Sequence, residues 1–159
     1  MKILVTGGRG FLGNSLASKL LALGHEVHAV GRTKEPKAEK LVPGLQYHPC
    51  NLSTDFPANE IIRNTDCVVH SAAKAGVSGK YSDYYVANYK ATKNLLEACR
   101  SNGVSRFILT STPSVVFSKK PIRNGNENLP YLSHSFSPYA TTKALAEKLV
   151  LRANNPPNL

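Results

Sequence analysis

Short apolar runs alternate along this chain with longer stretches in which apolar residues recur at helical spacing. Each run is bounded by turn residues and has the length of a buried parallel strand. The runs are Lys2–Val5, Glu26–Val30, Leu45–His48, Cys67–His70 and Arg106–Thr110. The helical stretches predict helices over Phe11–Leu23, Asp83–Ser101 and Pro138–Ala153.

The ends of the predicted helices carry residues that start and stop helices. Gly24 follows the first helix and Asn102-Gly103 the second, while Ser137 and Pro138 open the third. Strands that alternate with helices require right-handed crossovers between parallel strands. The pattern therefore predicts an α/β fold with a Rossmann-like, doubly wound parallel sheet of order 3-2-1-4-5, whose ligands bind beyond the carboxyl ends of the strands.

Composition is that of one globular domain, with 159 residues, 42% apolar and 19% charged. No apolar stretch approaches the roughly 20 residues of a membrane span, and no signal-peptide core is present, so we expect a cytoplasmic protein with no membrane partner. Cys50, Cys67 and Cys99 are odd in number and lack C-x-x-C spacing. They predict neither a disulfide framework nor a metal site.

The formal net charge of +10 raises the question of nucleic-acid binding. The basic residues are spread along the whole chain, with the densest groups at Arg32–Lys40 and Lys119–Arg123, and no aromatic ladder or zinc pattern accompanies them. Scattered charge of this kind is typical of a solvated basic face. We therefore expect no nucleic-acid partner.

A glycine turn lies between the first strand and the first helix. Gly7, Gly10 and Gly13 follow Ile3-Leu4-Val5 and lead into the helix that begins at Phe11. Such a turn lets the backbone approach a pyrophosphate, which then contacts unpaired N–H groups at the positive end of the helix. In this context the motif predicts a dinucleotide site.

A second motif lies on the last predicted helix. Tyr139 and Lys143 are four residues apart, so the phenol and the ammonium share one helical face. A nearby ammonium favours the phenolate, which suits a general acid/base. Thr110-Ser111-Thr112 supplies hydroxyls at the carboxyl end of the fifth strand, where a substrate carbonyl near the cofactor needs a hydrogen-bond donor.

Together these motifs resemble the extended short-chain dehydrogenase/reductase family in order and spacing. The chain is most similar to its branch of 3β-hydroxysteroid dehydrogenases and sterol-4-carboxylate 3-dehydrogenases. The residues that carry the resemblance are Thr6-Gly-Gly-Arg-Gly-Phe-Leu-Gly13, His70-Ser-Ala-Ala73, Asn88, Thr110-Ser-Thr-Pro-Ser-Val-Val-Phe117, Asn124-Gly-Asn-Glu127 and Ser137-Pro-Tyr-Ala-Thr-Thr-Lys143 through Lys148.

The resemblance implies a role for each matching residue. Tyr139 is implied as the general acid/base and Lys143 as the residue that tunes it and binds the nicotinamide ribose. Thr112 is implied to polarise the substrate oxygen, with Ser111 as a second candidate. The cofactor is implied to be lined by Gly7, Gly10, Phe11, Leu12 and Gly13, by Ser71, Ala72 and Ala73, and by Asn88 and Ser111.

The residues after the second strand bear on the choice between NADP and NAD. The stretch Gly31-Arg32-Thr33-Lys34 contains no acidic side chain to bind a ribose 2′-hydroxyl. Arg32 can instead pair with a 2′-phosphate, assisted by Lys34 and Arg9. We therefore predict NADP in preference to NAD. Asn51-Leu52 stands where the family commonly has Asp before an apolar residue, and the Asn51 amide is able to contact the adenine amino group.

Family members continue past the Y-x-x-x-K helix into a sixth strand and a substrate domain. We therefore expect residues 1–159 to form a single NAD(P)-binding domain that lacks the C-terminal part of the family's fold. The loop Ser118–Ser137 is either part of a substrate lid over the cofactor crevice or a plain connector. By resemblance, the helices over 83–101 and 138–153 pair in a homodimer.

The resulting hypothesis is an NADP-dependent oxidoreductase that transfers hydride between the nicotinamide and a secondary alcohol or ketone of small-molecule size, of the 3-hydroxy/3-keto type. Two alternatives stay open. One is a non-catalytic NAD(P)-binding sensor or truncated remnant, and the other is a nucleotide-sugar epimerase or dehydratase.

Overall fold

The fold is seen in a computed structural model that describes residues 1–34, 42–54, 56–117, 121–132 and 137–154. Within these residues five strands form one parallel sheet. They are β1 (Lys2–Thr6), β2 (Glu26–Gly31), β3 (Gln46–Pro49), β4 (Cys67–His70) and β5 (Phe107–Leu109). Their order is β3-β2-β1-β4-β5, which confirms the predicted Rossmann-like topology.

The helices lie between strands or, in the case of α5, after the last strand, and two of the three longer ones have the predicted start. They are α1 (Phe11–Ala22), α2 (Ala58–Ile61), α3 (Tyr81–Tyr84), α4 (Ala91–Ser101) and α5 (Pro138–Ala153). The single helix predicted over Asp83–Ser101 begins two residues earlier and is divided, because a π-helical turn at Tyr85–Lys90 joins α3 to α4. The sequence pattern also missed α2 and a 3₁₀ turn at Pro113–Val115, since neither is long enough to show a period.

The predicted helix ends are confirmed. Gly24 has φ +79° directly after α1, and Gly103 has φ +69° after α4, the left-handed conformation that ends helices. At the start of α5 the Ser137 hydroxyl accepts a hydrogen bond from the Ala140 N–H at 3.2 Å, with Pro138 in the first turn.

Alternate residues of β1 pack on opposite faces of the sheet. Ile3 and Val5 belong to the core beneath Ala17 of α1, whereas Leu4 belongs to the core beneath Leu95 of α4. Burial on both faces explains why the strands read as continuous apolar runs. The sheet is thereby fixed so that the carboxyl ends of β1, β2 and β4 meet where the strand order reverses.

Among the described residues, no helix combines the length and the apolar character that crossing a bilayer would require.

Candidate nucleotide-binding and catalytic site

The glycine turn between β1 and α1 is tightly packed against the segment that follows β4. Gly7 has φ +69°, and a Cβ there would lie 2.9 Å from the Ala72 backbone. Gly13 is equally constrained, because its Cβ would collide with the Gly7 carbonyl oxygen. No described side chain caps the α1 N-terminus at Gly10, so its first-turn N–H groups are available to an anion.

A cavity of about 690 Å³ opens in front of this turn, at the carboxyl ends of β1, β2 and β4. Eight residues predicted to bind the cofactor line it, namely Gly7, Gly10, Arg32, Asn51, Leu52, Ser71, Ala72 and Ala73. Lining residues that the sequence did not single out include Cys50, Ser53, Lys74, Ser82 and Asp83. The size, position and backbone-rich wall of the cavity suit an extended dinucleotide.

The remaining predicted cofactor residues lie outside this lining. Phe11 and Leu12 stand at the start of α1 and are 95% and 50% exposed. Their side chains have no hydrogen-bond donor, so a hydrogen bond from either residue to a phosphate comes from the backbone N–H. Gly13 packs against the turn, while Asn88 and Ser111 are bonded within the protein. Their contacts with a cofactor stay predictions.

Asn51 is positioned by a local turn. Its Oδ1 accepts hydrogen bonds from the Ser53 N–H at 3.1 Å and from the Ser53 hydroxyl at 2.7 Å. This orients the amide within the cavity wall, beside the buried Leu52. An adenine contact through the Asn51 amide group stays a prediction.

Asn88 is buried in the π-helical turn and holds two other segments in place. Its Oδ1 accepts from the Lys74 N–H at 2.7 Å, and its Nδ2 donates to the Lys74 carbonyl at 3.1 Å and to Thr142 Oγ1 at 3.0 Å. Lys74 belongs to the cavity wall and Thr142 to α5. Asn88 therefore couples the wall of the cofactor cavity to the helix that carries Tyr139 and Lys143.

A directional chain of hydrogen bonds runs beneath the same site through His70. The Thr92 hydroxyl donates to the Asn88 carbonyl at 2.5 Å, so it must accept from His70 Nε2–H at 2.9 Å. His70 Nδ1 is then the acceptor for the Thr6 hydroxyl at 2.6 Å, and Thr6 Oγ1 accepts from the Ala72 N–H at 3.1 Å. Complete burial, with the nearby Lys143 charge, lowers the pKa of His70 to about 3, which keeps the imidazole neutral.

Lys143 reaches the carboxyl end of β5. Its Nζ donates to the Thr110 carbonyl at 2.6 Å, and the residue is 3% exposed. Burial lowers the pKa of Lys143, and the Glu147 carboxylate opposes this. The structure thus brings Lys143 to the hydroxyl-bearing strand end, with the half-buried Tyr139 one turn earlier on the same helix.

The two hydroxyls that follow Thr110 have different surroundings. Ser111 donates to Glu147 Oε2, and Tyr131 donates to Glu147 Oε1 at 3.0 Å. Thr112 caps the 3₁₀ turn by accepting from the Ser114 N–H at 3.3 Å, and its hydroxyl hydrogen points to Ser114 Oγ at 3.2 Å. The weak bond from Thr112 is easily exchanged for one to a substrate oxygen, whereas the Ser111 hydroxyl is engaged by a carboxylate.

Within the loop Ser118–Ser137 the structure describes residues 121–132 and Ser137. The loop side chains Asn126, Glu127, Leu129 and Tyr131 line a cavity of about 610 Å³ together with Ser111, Thr112 and Glu147. This stretch therefore lies beside the predicted substrate-polarising hydroxyls. Residues 118–120 and 133–136 of the predicted loop lie outside the described residues.

The sequence patterns identified the candidate reactive residues but missed most of the residues that hold them in place. Glu147 follows Lys143 by four residues, so helical spacing alone would have placed it on the same face. His70 was part of a motif, but its link to Thr92 gave no signal because the partners are distant in sequence. The same holds for Tyr47, which lies on β3 beside Arg9.

The sheet order, the glycine turn against α1 and the cavity at the strand switch define a Rossmann-type dinucleotide-binding fold. The model of the 3-beta hydroxysteroid dehydrogenase/isomerase family matches residues 4–158, and the chain belongs to this family. This confirms the resemblance seen in the sequence motifs.

Similar proteins agree with this assignment. The chain is 41% identical over 157 residues to the 2-alkyl-3-oxoalkanoate reductase of Stenotrophomonas maltophilia (strain K279a), covering 98% of this chain and 47% of the relative. It is 35% identical over 158 residues to the sterol-4-alpha-carboxylate 3-dehydrogenase, decarboxylating, of Mus musculus, covering 98% and 42%. The chain thus spans less than half the length of these two curated relatives.

Solved structures show the same architecture. The structure of MoeE5 in complex with UDP-glucuronic acid and NAD superposes with a TM-score of 0.84 at 30% identity, covering 99% of this chain and 51% of that one. A UDP-galactose 4-epimerase structure superposes with a TM-score of 0.81 at 32% identity, covering 94% and 50%.

Proposed function

We propose that this chain is the cofactor-binding part of an NADP-dependent oxidoreductase that interconverts a secondary alcohol and a ketone of the 3-hydroxy/3-keto type. The observation that carries the proposal is the Lys143 Nζ to Thr110 carbonyl contact at 2.6 Å, which joins the Tyr139 helix to the hydroxyl-bearing end of β5. The names of the two curated relatives, a 3-oxoalkanoate reductase and a sterol 3-dehydrogenase, support the substrate type.

In this proposal Tyr139 transfers a proton to or from the substrate oxygen. The buried Lys143 lies one turn later on the same helix, and its ammonium at the end of β5 supplies a fixed positive charge that can stabilise negative charge developing during the proton transfer. Thr112 donates its hydroxyl to the same oxygen after leaving Ser114, and so stabilises the charge that develops there. The nicotinamide, when bound, supplies or accepts the hydride.

The preference for NADP is supported by the end of β2. Arg32 is exposed and lines both the main cavity and a second cavity of about 520 Å³ that also contains Arg9. A guanidinium can bind a 2′-phosphate through two parallel hydrogen bonds, and the described residues lining the second cavity include no acid that would repel it. Lys34 is not among those lining residues.

The test compares the wild type with Tyr139→Phe in NADPH oxidation, using a panel of β-keto and steroid ketones. We expect turnover in the wild type and a loss of about 10²-fold to 10⁴-fold in Tyr139→Phe, with nucleotide affinity retained, because only the proton donor is removed. Tyr85→Phe makes the same chemical change on a different helical segment and should keep full activity.

Other outcomes of this experiment would contradict the proposal in distinct ways. If both proteins bind the nucleotide and neither reduces any ketone, a non-catalytic NAD(P)-binding protein is favoured. Equal turnover in the wild type and in Tyr139→Phe would show that Tyr139 does not transfer the proton.

A second candidate is epimerisation of a nucleotide sugar, favoured by the superposition on UDP-galactose 4-epimerase and on MoeE5 with UDP-glucuronic acid and NAD. Arg32 argues against it, because the cofactor in the latter structure is NAD. Conversion of UDP-glucose to UDP-galactose in the presence of NAD, without net change in NADH, would favour the epimerase.

A further inference from the structure

The second cavity, beyond the end of β2, is built from three separate segments of the chain. Its described lining consists of Gly7, Arg9 and Gly10 from the glycine turn, Gly31, Arg32 and Thr33 from the end of β2, and Tyr47 from β3. Two guanidinium groups therefore border one small cavity next to the dinucleotide site. Because Arg32 and Arg9 come from different segments, a contact between those segments is needed to keep both side chains beside the same cavity.

Tyr47 contacts both of the other segments. Its ring centroid lies 5.9 Å from Arg9 Cζ, within the range of a cation–π contact. Its hydroxyl donates to the Thr33 carbonyl at 3.1 Å. The phenol also lies close over Gly31, where an added Cβ would be 2.7 Å from Tyr47 Oη, so a larger residue there would force the phenol to shift.

The state of the phenol suits this arrangement. Burial raises the pKa of Tyr47 in spite of the opposing effect of Arg9, so the hydroxyl keeps its proton and can donate to Thr33. A neutral phenol also leaves the Arg9 charge uncompensated by a phenolate. The positive charge of Arg9 is then available to an anion in the cavity.

We infer that Tyr47 is a positioning residue for cofactor selection, which holds Arg9 through its ring and Thr33 through its hydroxyl so that Arg9 joins Arg32 at the 2′-phosphate of NADP. This inference rests on the proposed NADP preference. The 2′-phosphate is a dianion that two fixed guanidiniums can bind together, whereas NAD has only a hydroxyl at this position. Tyr47 therefore affects the affinity for NADPH and leaves that for NADH nearly unchanged.

The test is a fluorescence titration of the wild type and its variants with NADPH and with NADH, with displacement by 2′,5′-ADP and by 5′-AMP. We expect the wild type to bind NADPH more tightly. Tyr47→Leu should weaken NADPH and 2′,5′-ADP binding about fivefold to tenfold, while the affinities for NADH and 5′-AMP change less than about twofold. Tyr47→Phe keeps the ring beneath Arg9 and should show a smaller loss.

Two further variants separate positioning from a general structural effect. Arg9→Gln should reproduce the selective loss, and the double variant Arg9→Gln/Tyr47→Leu should be no weaker than Arg9→Gln alone, because Tyr47 acts through Arg9. Tyr81→Leu is the matched control, since it removes the same kind of side chain from α3 at a position that is 48% exposed and lines neither the main cavity nor the second cavity. It should leave both affinities unchanged.

The outcomes distinguish this inference from the proposed function. A wild type that binds NADH more tightly than NADPH overturns the NADP preference and the role of Tyr47 with it. If the wild type prefers NADPH, two results overturn the role of Tyr47 and leave the NADP preference intact. One is that Tyr47→Leu weakens the binding of both nucleotides equally, and the other is that the effects of Arg9→Gln and Tyr47→Leu are additive.

Discussion

His70 connects three parts of the nucleotide site through side chains that are all buried. Its imidazole accepts from Thr6 at the end of β1 and donates to Thr92 of α4, which in turn donates to the Asn88 carbonyl. Each of these polar groups has a partner, so their burial carries little net cost. A second proton on the ring, at Nδ1, would remove the acceptor to which the Thr6 hydroxyl donates. It would also place a positive charge on a buried imidazole, which burial disfavours.

The low pKa of His70 predicts a specific pH dependence of stability. The unfolded chain binds a proton at this histidine below about pH 6.5, whereas the folded protein does not until about pH 3, so stability decreases as the pH falls through this interval. We expect urea denaturation between pH 7.5 and 5 to show that the free energy of unfolding of the wild type falls as the pH is lowered. Below pH 6.5 this fall should be steeper than that of His70→Gln by about 1.4 kcal/mol per pH unit.

His70→Gln is the informative comparison because glutamine can donate and accept but does not titrate. His48, whose pKa is also lowered by burial, is present in both proteins and cancels in the difference. Parallel stability curves for the two proteins would show that His70 is not a buried neutral histidine.

Helix α5 is joined to the end of β5 by two polar contacts one turn apart. Lys143 binds the Thr110 carbonyl, and Glu147 accepts from Ser111 and from Tyr131 of the adjoining loop. The Glu147 carboxylate thus connects the helix, the strand end and the loop. Together these contacts fix the position of Tyr139 relative to Thr112, because Tyr139 lies on α5 and Thr112 follows β5.

We expect Glu147→Ala to destabilise the protein by about 1 to 3 kcal/mol, because two half-buried hydroxyls lose a charged acceptor. Glu97→Ala is the control. Glu97 is 61% exposed in α4 and lies 3.7 Å from Lys93, so its removal should cost less than about 0.5 kcal/mol. Chemical denaturation midpoints measure both, and equal losses would refute the connecting role of Glu147.

For the whole molecule, we propose a homodimer formed through the helical segments 83–101 and 138–153. A row of rings is formed by Tyr85 and Tyr89 of the first segment and by Tyr81 just before it, with centroid separations of 5.9 Å for Tyr81–Tyr85 and 5.0 Å for Tyr85–Tyr89. Val86 on the same segment is 37% exposed. Aromatic rows of this kind are typical of protein interfaces.

Light scattering after gel filtration at micromolar concentration should give twice the mass of one chain. Tyr85→Arg should shift the protein toward the monomer, because it places a charge in the row of rings. Leu23→Arg changes an exposed apolar residue directly after α1, outside both helical segments, and should leave the mass unchanged. A monomeric wild type would rule out this assembly.

Local sequence patterns were sufficient for much of the fold and part of the site. Apolar runs, helix-stopping glycines and the Ser137 cap predicted the elements because these signals depend on neighbours within a few residues. The glycine turn and the Tyr139 and Lys143 pair were visible for the same reason. The π-helical turn was not, because no local residue type requires it.

The contacts that complete the site join residues far apart in the chain. Tyr47 meets Arg9, His70 meets Thr92 and Glu147 meets Ser111 only after the strands are ordered and the helices are packed. Each partner taken alone is an ordinary aromatic, polar or charged residue, so no spacing rule singles it out. The candidate reactive residues were therefore readable from the chain, whereas the residues that hold them in place followed from packing across the sheet.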